Sequence, residues 1–207
     1  MSKRLILIPR WAGTSQSDWY PWLRAELQTD EQRTFDPIIL ADMPHPELPV
    51  IDAWVSRIKT LIGPELPAAS NTIVAAHSVG CQAVLRALAE LPSSGVAGLF
   101  LVAPWFTIDA PWDAIRPWID VPFDLKAARA RAGKVIAVMS DNDRHRKDWR
   151  ANRQSWEERL GAEVVLVPGA SHFNDEQYPA LLQMLLAHFG SSAEAQPIGK
   201  RAASWTV

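Results

Sequence analysis

The chain of 207 residues carries a single cysteine, Cys81. No disulfide can form within it, and the lack of any Cys/His ligand spacing also excludes a standard zinc site. Cys81 opens an apolar helical pattern, the place of a small packing residue rather than a nucleophile. An excess of one charge is missing as well. The 21 Lys and Arg stand against 23 Asp and Glu, so there is no electrostatic footprint for nucleic acid. The densest basic stretch, Arg144 to Arg153, also holds Asp148 and reads as a solvated helix face. Long hydrophobic runs are absent too. After Lys3 and Arg4 the apolar run is only about four residues, too short for a signal sequence or a membrane span. The expectation is a cytoplasmic protein with no membrane partner. Neither a repeat of solenoid length nor a residue cluster calling for a metal or an organic cofactor is found.

What the chain does have is alternation. Apolar, β-branched runs fall near residues 4–8, 35–40, 72–77, 96–102, 134–139 and 162–167, with helical patterns between most of them. Parallel strands need crossover connections, so this order predicts an α/β fold with a mostly parallel sheet of about six strands and helices on both faces. The length fits one domain, read as residues 1–190. Beyond it, residues 191–207 shift to Ser, Ala, Gly and Lys with a late Trp205, and read as a tail, either flexible or docked through that tryptophan.

The third apolar run, Thr72 to His77, leads directly into Ser78, Val79 and Gly80 and then into a helical pattern. A strand, a sharp turn and a helix make a nucleophile elbow, which lifts a serine hydroxyl toward substrate and base. The usual string is Gly-x-Ser-x-Gly; here it is Ala76-His77-Ser78-Val79-Gly80. A bland alternative is a serine capping a helix after a buried strand.

A nucleophilic serine requires a base and a group to orient it. The fifth run ends in Ser140-Asp141-Asn142-Asp143, and the sixth is followed by Pro168 to Phe173 with His172 among them. Serine, acid and then histidine is the chain order of α/β-hydrolases. Asp143 is taken as the orienter because a position past the strand can aim across at His172; Asp141, in a turn beside asparagine, remains the alternative. The Asp-x-Asp pair does not open a calcium loop, since Arg146 occupies the required glycine position and no glutamate closes it. Of the other histidines, His77 belongs to the turn and should point away from the serine, while His45 and His188 read as structural or surface residues. His145 is the rival base, two places beyond Asp143, but a charged helix start in water accounts for it more simply.

With these residues placed, the chain resembles the compact serine hydrolases typified by retinoblastoma-binding protein nine and its bacterial relatives. The resemblance runs over most of the chain: Leu5 to Ile8 entering Pro9-Arg10-Trp11-Ala12-Gly13-Thr14, then Asp42-Met43-Pro44 and Pro46 leading to Trp54, the elbow, Leu101 to Pro104, the acid loop, and His172-Phe173. It implies an α/β-hydrolase fold with Ser78 as nucleophile, Asp143 as orienter and His172 as base. Three positions depart from the family pattern. Arg10 and Ala76 replace expected glycines, and Arg144 replaces the proline that commonly follows the acid.

On this reading an acyl ester is cleaved through an acyl-enzyme. The oxyanion would be held by the N–H groups of Val79 and, from the loop after the first strand, Trp11. Ten tryptophans are many for this length, and the pairs Pro104-Trp105, Pro111-Trp112 and Pro117-Trp118 follow the fourth strand. Trp105, Trp112 and Trp118 are expected to wall an acyl pocket with Trp11 across from them; packing of a small core is the competing account. Two rival functions stay open: a protein-binding module on a hydrolase frame, and an amide or peptide hydrolase with the same triad. Exposed tryptophans would suit a homodimer.

Overall fold

The structure is a computed structural model that describes residues 2–31, 33–63, 71–92 and 95–190. The tail expected over 191–207 lies outside the described residues. Six strands, β1 (Lys3–Ile8), β2 (Phe35–Leu40), β3 (Thr72–His77), β4 (Gly98–Val102), β5 (Lys134–Met139) and β6 (Glu163–Leu166), form one sheet in the order β2-β1-β3-β4-β5-β6. Every neighbouring pair is parallel. The described helices are α1 (Tyr20–Gln28), α2 (Ile51–Ile62), α3 (Val79–Glu90), α4 (Arg116–Asp120), α5 (Leu125–Arg131), α6 (Trp149–Leu160) and α7 (Pro179–Phe189). None is long and apolar enough to cross a membrane.

The strands read as continuous apolar runs because both sheet faces are covered. Side chains alternate across the sheet, so each strand feeds two cores. Ile6, Ile8, Val74, Ala76, Leu99 and Leu101 pack with α2, α3, α5 and α6 on one face. Leu5, Leu7, Ile73, Ala75, Phe100 and Val102 pack with α1 and α7 on the other. Pro37 lies in β2, an edge strand, where a missing N–H costs no ladder bond to an outer neighbour.

The strand order reverses at β1, which has β2 on one side and β3 on the other. Crossovers leave in opposite directions at such a point, and the crevice beyond the strands' carboxyl ends is where open α/β sheets bind ligands. The loop from Pro9 and the turn at Ser78 meet there. The register sets Ile8 beside Ala76 at the ends of β1 and β3. An added Cβ at Gly80 would come 2.6 Å from the Pro9 oxygen, so only glycine lets α3 start this close to β1.

Candidate active site

Ser78 sits at φ 54° and ψ −118°, a backbone conformation that non-glycine residues rarely hold. Its N–H donates to the Val102 oxygen at 2.9 Å, and its own carbonyl accepts the Cys81 N–H at 2.9 Å. These bonds to β4 and to the first turn of α3 keep the strained turn in place and lift Oγ above the sheet. Ala76, in the first glycine place, is fully buried in the core on the α3 side, and its methyl is accommodated there.

His172 and Asp143 arrive from the loops after β6 and β5. Nε2 of His172 lies 2.9 Å from Ser78 Oγ, and Nδ1 lies 2.8 Å from Asp143 Oδ2. A carboxylate only accepts, so Nδ1 carries the hydrogen and bare Nε2 can take the serine proton. All three side chains are buried. The second carboxylate oxygen of Asp143 accepts the His145 N–H at 2.9 Å. Asp141 instead accepts the Gly169 N–H at 2.8 Å, and Asn142 accepts the Ser171 N–H at 2.7 Å. The loop after β5 therefore grips the loop after β6 at Gly169, Ser171 and His172.

A cavity of about 460 Å³ opens at Ser78. Its apolar wall comes from Trp11, Trp105, Ile108, Trp112 and Ile115, its polar rim from Arg10, Arg144, His145 and Asn174. The indole N–H of Trp105 points at Ser78 Oγ across 3.4 Å. Trp11 and Trp112 meet edge to face, centroids 5.3 Å apart, on the cavity wall. Among the described residues, the N–H groups of Trp11 and Val79 meet no protein acceptor. Val79 opens α3, where the first N–H groups have no partner within the helix.

A match to the protein family described as serine hydrolase extends over residues 5–186, from β1 into α7. The chain belongs to the serine hydrolase family. Its sequence is 31% identical to Bacillus subtilis (strain 168) YdeN over 104 residues, which is 50% of this chain and 51% of that protein. The match thus spans about half the length of this curated relative. The crystal structure of the ydeN gene product superposes with a TM-score of 0.76 at 22% identity, covering 91% of this chain and 99% of that one. The esterase RhEst1 from Rhodococcus sp. ECU1013 superposes at 0.64 with 16% identity, over 91% and 90%. At these identities the two structures show a shared α/β-hydrolase fold.

Two expectations about this serine hydrolase change. Trp118 does not reach the cavity. Its ring is buried against Trp54, centroids 6.0 Å apart, and its N–H donates to the Pro49 oxygen at 3.2 Å, because α4 turns that face onto α2. His145 is not a solvated helix start. It is half-buried on the cavity wall, edge-on to His172 at 4.6 Å, and burial lowers its pKa. Its spacing of two from Asp143 was the available signal. Helix α6 begins later, at Trp149, with the Asp148 carboxylate capping the Ala151 N–H.

Side chains around the site tie its loops together. Asp109, in the segment after β4, meets Arg146 at 2.9 Å and the Lys147 N–H at 2.8 Å. Asn152 of α6 donates to the Pro104 oxygen at 2.9 Å, and Gln82 of α3 to the Trp105 oxygen. Arg10 clasps Asp18 at 2.7 Å and donates to the Trp11 oxygen at 2.8 Å, so the residue that departs from the family pattern braces its own loop. Burial pushes the Cys81 thiol pKa up, in keeping with a packing role.

Proposed function

We propose that this serine hydrolase is a carboxylesterase-like enzyme that cleaves an acyl ester through Ser78, His172 and Asp143. The observation that carries the reading is the unbroken run of short contacts from Asp143 through His172 to Ser78 at the floor of a cavity with one apolar wall. Ser78 Oγ attacks the ester carbonyl as its proton passes to His172 Nε2, and Asp143 stabilises the imidazolium that forms. The oxyanion takes hydrogen bonds from the Val79 and Trp11 N–H groups; one such donor is worth about 3 kcal/mol of barrier. Collapse breaks the ester C–O bond, and the departing alcohol takes the proton from His172. Water then attacks the acyl-enzyme, giving its proton to His172. The carboxylic acid leaves, and the proton returns to Ser78.

Trp105, Trp112 and Trp11 form an apolar wall suited to the acyl group, while the Arg10 and Arg144 rim faces the solvent side. On this reading the enzyme works in the cytoplasm on a small acyl substrate, without a cofactor, a nucleic acid or a membrane. Fluorophosphonate labelling together with p-nitrophenyl acetate and butyrate turnover tests it. Wild type should label and turn over, and Ser78→Ala and His172→Ala should do neither. A folded wild type that neither labels nor turns over would sink the esterase reading in favour of a protein-binding role for the same frame.

A further inference from the structure

His77 is completely buried and moves no proton in the reaction above, yet both of its ring nitrogens are engaged. Nε2 lies 2.8 Å from the backbone oxygen of His172. A carbonyl only accepts, so Nε2 carries the hydrogen. Burial, and next His172, hold the imidazole well below its ordinary pKa, which leaves Nδ1 bare. Nδ1 accepts the Tyr20 hydroxyl at 2.7 Å, and the Tyr20 oxygen in turn accepts the Arg10 N–H at 3.2 Å. Donors thus run one way, from Arg10 to Tyr20, from Tyr20 to His77, and from His77 to the carbonyl of the base itself. Asp18 stands 4.0 Å from Nδ1 and is held by Arg10 at 2.7 Å; it also faces the Tyr20 hydroxyl as a second acceptor, at the edge of the chain that runs through His77.

These partners belong to segments remote in sequence: Arg10 to the loop after β1, Tyr20 to the first turn of α1, His77 to the end of β3 and His172 to the loop after β6. Arg10 precedes Trp11, and His77 precedes Ser78. From this juxtaposition we infer that His77 is a positioning residue, one rigid ring that sets the oxyanion loop, the nucleophile turn and the base loop at fixed separations. The role rests on the triad reading given above. A neutral imidazole suits it because it donates at one edge and accepts at the other with no side-chain freedom between them. Phenylalanine would fill the space with neither function. Glutamine would bring an amide N–H to the place of Nε2 on a more flexible stem. Misplacing reacting groups by about 1 Å costs on the order of 100-fold in rate, so the effect should fall on turnover.

The test combines an ¹⁵N NMR measurement with kinetics of the full chain on p-nitrophenyl butyrate. The ring of His77 should show hydrogen on Nε2, a bare Nδ1 and no titration in the ordinary histidine range. The other tautomer, or a titration in that range, would overturn the hydrogen-bond chain whatever the protein hydrolyses. His77→Phe should lower kcat by about tenfold to 100-fold with KM within about twofold, and His77→Gln should recover most of the loss. A folded His77→Phe with wild-type kcat, a loss carried by KM, or no recovery in His77→Gln would each reject the positioning role. Should His77→Phe not fold, Tyr20→Phe removes one oxygen from the chain. It should lower kcat by about threefold to tenfold, and an unchanged kcat rejects the role. Failure of the esterase reading is separately visible, because there the wild type itself is inert.

Discussion

Asp143 accepts the Nδ1–H of His172 at 2.8 Å while its other oxygen accepts the N–H of His145, so the carboxylate cannot rotate without losing one of them. Two residues earlier, Asp141 holds the Gly169 N–H and never meets the imidazole. The two aspartates therefore differ in kind. Asp143→Asn should favour the wrong histidine tautomer and cut kcat by on the order of 10⁴. Asp141→Asn keeps an amide oxygen for Gly169 and should stay within about threefold of wild type. Kinetics on p-nitrophenyl butyrate measure both, and a larger loss in Asp141→Asn would reverse the assignment.

Trp112 and Trp118 should separate in the same way. Trp112 is 39% exposed and leans edge-on against Trp11 at the cavity. Trp112→Ala should cost only about 1 kcal/mol of stability and shift the acyl chain-length preference. Trp118→Ala empties a buried site and should cost about 3–5 kcal/mol. Urea unfolding and a series of p-nitrophenyl esters decide the matter; an unchanged preference in a folded Trp112→Ala rejects its pocket role.

Gly80→Ala should be harmful although alanine favours helices. The new methyl would meet the Pro9 oxygen at 2.6 Å, and backbone cannot yield as a flexible side chain would. The expected cost is about 1–3 kcal/mol, along with lower kcat as the elbow and the Trp11 loop are pushed apart. Wild-type stability and activity in this variant would contradict the close approach of α3 to β1.

Stability should fall on the acid side through His77. Its folded pKa is lowered well below the ordinary value by burial, then by His172 and Arg10, with Tyr20 and Asp18 also facing the ring. The unfolded chain therefore binds a proton below about pH 6.5 that the folded chain refuses. The contribution is whole above that pH and is lost as pH falls, by up to about 1.4 kcal/mol per pH unit. His145, lowered by burial, adds with the same sign. Urea unfolding at several pH values should give a shallower acid slope for His77→Gln; an equal slope would place the proton uptake elsewhere.

Several features were legible in the chain itself. Continuous apolar runs, separated by helical patterns, can satisfy their backbones and bury both faces only as a covered parallel sheet, and the six strands follow those runs closely. Ser78, Asp143 and His172 could be picked because strand ends are local signals, and parallel strands bring all their carboxyl ends to one edge. Tertiary structure alone decided the rest. Which aspartate faces His172, that Trp118 turns into the core while Trp112 lines the cavity, that His145 leans on His172, and that His77 meets both Tyr20 and the His172 carbonyl all depend on how segments remote in sequence pack. A periodic pattern records which face of an element is buried; it carries no record of the direction in which a loop side chain points.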